Sequence, residues 1–300
     1  MKLTSESKVL IQGLYELSSS THAARMKAYG TNVVAGINPG HGGQTLADIP
    51  VFDLVEQALA EVGPVDTTII FVPPYQALDA ALEAIAAGIR QIIIISAGMP
   101  PLDMVYLLRI AEVTETLIVG PNSPGIIVPE KILLGTHASE FYTPGTVGIV
   151  SRSSTLTYEI ALQLTTAGLG QSIGVSIGSD TIIGSSFLQW LQILDEDETT
   201  QAIVLIGEPG GNSEEAAARY IAEAIDKPVI AYITGRQAPA GKHWGHTGNL
   251  AAVVGRGANV GTAQSKLAAF KEAKVAIAQR PSEIPELVKK ALKKGGGGKE

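Results

Sequence analysis

The chain has 300 residues, 45% of them hydrophobic, with 22 basic against 29 acidic side chains and a net charge of −7. That length suits about two domains at roughly 150 residues each. No basic stripe marks a nucleic-acid partner, and the absence of cysteine excludes a disulfide framework, a thiolate metal site and a cysteine nucleophile. The opening residues MKLTSESKVLIQG contain no apolar core of signal-peptide length, and no run approaches the roughly 18 apolar residues of a membrane span. A cytoplasmic protein with no membrane segment is the expectation.

In chain order, residues 8–12 read as a short apolar strand and residues 22–29 as a helix. A second strand at 32–37 runs into a glycine-rich turn at 38–43. Residues 51–62 are expected to be helical, from the apolar spacing of Val51, Leu54, Val55, Ala58 and Leu59. A strand at 67–72 closes on Pro73 and Pro74, and an alanine-rich helix at 77–87 stops at Gly88. The β-branched run at 91–95 reads as a strand covered on both faces. A helix at 102–112 and a strand at 116–119 follow, and Met26, Met99 and Met104 are expected to pack in cores.

Residues 126–144 show little periodicity and read as a connection between domains. A second alternating series then begins, with strands at 147–150, 173–177, 202–206, 228–233 and 275–278. Helices are expected between them at 156–167, 185–194, 214–225 and 262–273, with a last one from Ile284. The end, KKGGGGKE at 293–300, reads as a disordered tail. Strands alternating with helices predict mostly parallel, doubly wound sheets in two α/β domains. The expected boundaries are 1–125, a connection at 126–145, 146–292, and a tail at 293–300.

Three stretches carry candidate chemistry. GKHWGHTGN at 241–249 sets His246 between Gly245 and Gly248, after an apolar strand. Glycines there let another group approach the imidazole, which can act as a nucleophile toward a phosphoryl group; a loop histidine without chemistry fits the same spacing. Ser151–Arg152–Ser153–Ser154–Thr155 follows a strand and opens a helix. Free N–H groups there make an anion site, and the hydroxyls also suit ordinary caps. Glu208, in GEPGG, stands at the end of strand 202–206, on the sheet edge where ligands gather. It reads either as the carboxylate that fixes the histidine tautomer or as a solvated loop group. Glu214 and Glu215 fall in a first helical turn and read as structural. The first β–α turn, QGLYELSSSTH at 12–22, has only Gly13 of a dinucleotide fingerprint. His22, His41, His137 and His243 show no metal spacing, so no metal site is expected.

Taken together, GPNSPG (120–125), GIVSRSSTLTYE (148–159), IGEPGG (206–211) and GKHWGHTG (241–248) resemble the signatures of the succinyl-CoA synthetase (succinate–CoA ligase) α-subunit family in order and spacing. YGTNVVAGINPGHGG (29–43) and VFDLVEQA (51–58) resemble it as well, and the match runs from about Lys8 to Leu292. The resemblance implies a Rossmann-like domain that binds coenzyme A, followed by a flavodoxin-like CoA-ligase domain. It implies that His246 is transiently phosphorylated, that Glu208 orients it, and that Ser153, Ser154 and Thr155 hold the phosphoryl group. Tyr158 matches a succinate-site residue, and Tyr15, Glu16, Leu17, Ser18, His41, Ile95, Ser96 and Ala97 fall where CoA is bound. It further implies a β subunit of ATP-grasp type, carrying Mg²⁺ and ATP/ADP or GTP/GDP, in a heterodimer or heterotetramer. That would account for the lack of a Walker-type loop here.

The chain departs from the family's pattern mainly in the first domain. Glu16–Leu17–Ser18–Ser19 stands in place of a Gly-Ser-Gln-Gly-type loop, His41 in place of a lysine, Ala97 of a glutamate and Ser123 of a cysteine. Farther on, Ser154 replaces a glycine, Thr247 an alanine, and Asn259–Val260 form a small insertion. The phosphoryl-transfer residues are thus expected to be intact and the CoA loop altered. Malate or citrate as the acid, or a non-catalytic scaffold with weakened CoA binding, are the alternatives.

Overall fold

The computed structural model describes residues 3–237 and 261–296. The chain divides into two compact units. One holds the described residues up to His137 together with Ile182–Gly184; the other holds Ala138–Thr181 and the described residues from Ser185 onward.

The first unit is built on β1 (Lys8–Gln12), β2 (Asn32–Ile37), β3 (Thr45–Leu46), β4 (Ile49–Phe52), β5 (Thr67–Ile70), β6 (Gln91–Ile94) and β7 (Leu117–Val119). Their spatial order is β3-β4-β2-β1-β5-β6-β7. The pairings are parallel except for the short edge strand β3, which runs antiparallel to β4. Without β3 this is the Rossmann strand order, in which the chain changes direction beside the first strand. Here that switch lies between β1 and β5. The connecting helices are α1 (Ser19–Tyr29), α2 (Val55–Val62), α3 (Ala77–Ala86) and α4 (Pro101–Val113). The TTII of β5 is buried at every position, as a strand covered on both faces must be. Helix α3 buries Ala77, Ala80, Ala81 and Ala84, one stripe of small side chains at helical spacing. Met26, Met99 and Met104 are buried, as expected.

In the second unit β10 (Pro144–Ser151), β11 (Gln171–Ser176), β12 (Ala202–Gly207), β13 (Val229–Ile233) and β14 (Ala276–Ile277) lie in the order β14-β13-β12-β10-β11. All four pairings are parallel. This is the flavodoxin-like order, with its switch between β10 and β12. The AIVLIG of β12 is buried throughout. Helices α5 (Ser154–Thr166), α6 (Phe187–Glu196), α7 (Ser213–Ala224), α8 (Ala263–Glu272) and α9 (Ile284–Gly296) complete it. Helix α6 opens with a capping box: the Ser186 hydroxyl accepts from the Gln189 N–H, and Gln189 Oε1 accepts from the Ser186 N–H at 2.8 Å.

Three sequence expectations need correction. Residues 51–62 are not one helix. Val51 and Phe52 belong to β4, in register with Gly36 and Ile37, and the helix starts at Val55. Residues 126–144 are not an irregular connection, since β8 (Gly125–Val128) and β9 (Ile132–Gly135) form a buried antiparallel hairpin. Thr31 ties that hairpin to the end of α1, donating to Leu133 O at 2.8 Å and accepting from Leu133 N–H at 3.0 Å. Finally, α9 runs through Gly296, into the stretch expected as a tail.

His137 sits just after this hairpin, fully buried, with Nε2–H donating to Gly125 O at 2.9 Å. Burial lowers its pKa from 6.5 to about 4, against the smaller upward effect of the Gly125 bond. Between those pH values the unfolded chain takes up a proton that the folded chain refuses, so stability falls as the pH drops. Going from pH 7 to 4.5, this one group should cost about 2–3 kcal/mol. Urea unfolding of His137→Gln should show an acid loss smaller than wild type by that amount; parallel pH curves would contradict it.

Candidate functional site

In the first unit the residues implicated in the sequence lie on loops just beyond the carboxyl ends of β1, β2 and β6, on one edge of the parallel sheet. Gly13 turns the chain out of β1 at φ +82°, and a Cβ there would lie 2.9 Å from Val72 N, so this turn requires glycine. Tyr15 is then strapped across the loop after β2. Its N–H donates to Asn38 Oδ1 at 3.2 Å, its hydroxyl donates to Gln44 Oε1 at 2.9 Å, and its ring stacks on His41 with centroids 4.2 Å apart. Because Asn38 Oδ1 is occupied by that N–H, the Asn38 amide nitrogen is left to donate to His41 Nδ1 at 2.9 Å. His41 therefore carries its proton on Nε2. Asp53 Oδ1 holds the same loop, accepting from Gly40 N–H at 2.7 Å and Gly42 N–H at 3.0 Å.

Glu16 is half-buried, while Leu17 and Ser18 are exposed, Leu17 almost wholly. Ser18 adopts a left-handed conformation at the start of α1, whose first turn has no side-chain cap. After β6, Ile95 and Ser96 are half-buried and Ala97 is exposed. The Ser96 hydroxyl donates to Val72 O, which ties this loop to the end of the neighbouring strand.

In the second unit the switch between β10 and β12 brings two of the candidate stretches together. Arg152 N–H donates to Ile206 O at 3.0 Å across the two strand ends. The Ser151 hydroxyl accepts from Ser153 N–H and donates to Ser153 O, each at 2.9 Å, which fixes the bend into α5. Ser153 is the N-cap by position but makes no cap bond to its own helix. Its hydroxyl instead bonds the Glu208 carboxylate. Ser154 and Tyr158 are half-buried, and Thr155 is exposed on the first turn of α5.

Glu208 is no solvated loop group: it is buried in the turn after β12, only 9% exposed. Burial raises its pKa above the usual 4.5, and Glu214 pushes the same way. The Ser153 hydroxyl, Arg152 and Lys266 oppose the shift without cancelling it. Arg152 is buried as well; Nη2 donates to Asp180 O at 3.1 Å, while Nε bonds to nothing among the described residues.

Two features of this centre do not stand out in the sequence. Arg152 lies within the SRSST motif, where nothing in the spacing marks it as buried. Lys266 is fully buried, and α8 buries Ala263, Lys266 and Phe270 on one stripe. A lysine at an inward position between two apolar residues was the signal. Glu214 and Glu215 do occupy the first turn of α7, but they are buried and paired with Lys266 rather than facing solvent. The stretch 241–249 with His243, His246 and Thr247, and the insertion at Asn259–Val260, lie outside the described residues. Among the described residues no group of three or more His, Asp or Glu is placed to hold a metal, and no helix is long and apolar enough to cross a membrane.

Residues 4–98 match the model of the CoA binding domain, and residues 150–276 that of the CoA-ligase. Among curated proteins, succinate–CoA ligase (ADP-forming) subunit alpha 2 of Archaeoglobus fulgidus is 46% identical over 95% of this chain and 97% of its own length. The corresponding subunit alpha of Aquifex aeolicus is 43% identical over 96% of this chain and 93% of its own. Among solved structures, Methanosaeta concilii ATP citrate lyase in complex with (3S)-citryl-CoA superposes with a TM-score of 0.88 at 23% identity, over the whole of this chain and 52% of that one. The chain thus spans about half of that lyase, and the likeness shows a common fold. Near-complete coverage at 46% identity, with both domain models matched in order, shows that the chain belongs to the succinate–CoA ligase α-subunit family.

Proposed function

We propose that this chain is the CoA-binding, histidine-phosphorylated α subunit of succinate–CoA ligase. With a β subunit it would interconvert succinyl-CoA, phosphate and nucleoside diphosphate with succinate, CoA and nucleoside triphosphate. The observation that carries the reading is the buried Glu208 carboxylate bonded to Ser153 at the head of α5, at a strand switch where ligands bind in this fold class. The names of the relatives, ADP-forming, support ADP as acceptor.

Reaction begins when phosphate displaces CoA from succinyl-CoA, giving succinyl phosphate. One nitrogen of His246 then attacks phosphorus and succinate leaves with the bridging oxygen. Glu208 accepts the hydrogen bond of the other ring N–H and stabilises the positive charge that grows on the imidazole. Ser153, Ser154 and Thr155, with the free N–H groups of the first turn of α5, hold the phosphoryl oxygens. Tyr158, one turn along, faces succinate. The phosphoryl group finally passes to the nucleotide, held with Mg²⁺ on an ATP-grasp β subunit in an αβ or α₂β₂ assembly. In the first unit, Tyr15, Glu16, Leu17, Ser18, His41, Ile95, Ser96 and Ala97 would contact CoA. The setting is the cytoplasm.

Incubated with its partner subunit and ATP, the chain should gain one acid-labile phosphate, and His246→Asn should abolish it; labelling of that variant at the wild-type level would refute the role. The raised pKa of Glu208 means that its charged form is lost at a higher pH than that of an ordinary glutamate. Glu208→Gln should therefore take the Glu208 contribution out of the acid limb of the phosphorylation rate, leaving the limb that protonation of the attacking imidazole imposes, with rates at neutral pH reduced about tenfold or more. An unchanged profile in that variant would remove Glu208 from the mechanism. Glu16 places a negative charge by a pyrophosphate, at a cost of about 1 kcal/mol. Calorimetry of Glu16→Gln should therefore show CoA binding about fivefold tighter; equal affinity would show that Glu16 does not face the phosphates.

A further inference from the structure

Lys266 of α8 is fully buried, and its ammonium has three N–H donors to place. Two go to backbone carbonyls of the turn that carries Glu208, Gly210 O at 3.0 Å and Gly211 O at 3.2 Å. The third goes to the Glu214 carboxylate, and Glu215 Oε2 lies 3.5 Å away. Glu214 passes the constraint on, since its Oε1 accepts from the N–H of Glu208 itself at 3.1 Å. The turn is thus held at both ends by one buried ion pair: at the Glu208 N–H and at the Gly210 and Gly211 carbonyls.

Glu215 carries the same cluster to a second segment. Its Oε1 accepts from Gly261 N–H at 2.9 Å and from the Ser265 hydroxyl at 2.8 Å. Gly210 N–H donates to Gly261 O at 2.7 Å. Gly261 sits at φ +82°, and a Cβ there would lie 2.8 Å from Gly211 O, so the two segments are in direct contact. Gly261 is where the described chain resumes after residues 238–260, the span that includes His246.

We infer that Lys266 is a positioning residue for phosphoryl transfer: through Glu214, Gly210 and Gly211 it fixes the turn that presents Glu208, and through Glu215 it anchors the outgoing end of the histidine segment. The inference rests on the role proposed above for Glu208. Burying a lysine and two carboxylates carries a desolvation cost that apolar side chains of equal volume would not incur. A helix contact that served packing alone would be as well made by methionine. What an apolar residue cannot do is grip two carbonyls, or set the field at Glu208. Among the described residues, the charged and hydrogen-bonding groups that act on that carboxylate include Ser153 and Arg152 at the head of α5, Glu214 from α7 and Lys266 from α8.

The test is made on the full chain purified with its partner subunit, by following phosphate incorporation from ATP over a range of pH. Lys266→Met removes a positive charge, so the acid limb should move to higher pH. Its kcat should fall about ten- to a hundredfold, with the KM for ATP unchanged. Lys266→Met/Glu214→Gln removes one charge of each sign, and the remaining Glu215 carboxylate keeps the Gly261 N–H and the Ser265 hydroxyl as donors, so it guards against a single variant that fails to fold. It should return the acid limb toward the wild-type position and leave kcat low, because Gly210 and Gly211 are still unheld. A folded variant of either kind with wild-type kcat would overturn the inference. A wild-type complex that gains no phosphate would overturn the proposed function and this inference with it. A labelled wild type with unaffected variants overturns this inference alone.

Discussion

The site depends on a carboxylate kept out of water. Glu208 is buried where two parallel strands part, and a buried carboxyl favours its neutral form unless donors hold the charge. The Ser153 hydroxyl and the Arg152 guanidinium come from one strand end, and Glu214 and Lys266 from two helices behind the turn. The Ser153 hydroxyl, Arg152 and Lys266 bring the charged form back within reach against burial and the like charge of Glu214, while leaving the pKa above that of an exposed glutamate. A group so poised can accept a hydrogen bond from an imidazole without being locked into a strong ion pair of its own.

The fold explains why the partners meet. In a flavodoxin-like sheet the chain leaves the first strand toward one side and the third toward the other, so the two loops diverge and open a crevice. Ser151–Ser153 and the turn after β12 are those two loops. The first unit applies the same geometry to a different end. Its sheet edge carries the Gly13 turn, the loop after β2 and the loop after β6, cross-braced by Tyr15, Asn38 and Asp53. Those bonds fix the loops before any ligand arrives, which reduces the ordering cost of binding.

Much of this was legible in the sequence. The apolar runs of β12 and β13 declared themselves as buried strands, and the glycines around Glu208 and Gly13 marked the sharp turns. What failed was non-local. Strand β4 hides in the helical period of Val51, Leu54, Val55 and Ala58, while its pairing with β2 depends on Gly36 and Ile37, outside that window. The hairpin turn before it uses Ala47 and Asp48 at positive φ, where asparagine–glycine is the usual signal. Lys27 braces that turn from α1, donating to the carbonyls of both residues at 3.0 Å. Hairpin β8–β9 was missed because nearly all its positions are buried, so it lacks the alternation of a half-exposed strand. Lys266 was missed because a helical lysine is nearly always solvated, and only its place between Ala263 and Phe270 argued otherwise.

In the proposed mechanism a phosphoryl group rides on His246 and is received at the head of α5. The most direct measurement is peptide mapping of the phosphorylated complex by tandem mass spectrometry under conditions that preserve acid-labile phosphate. The modification is expected on His246 alone. Phosphate found on Ser153, Ser154 or Thr155, with His246 unmodified, would contradict it.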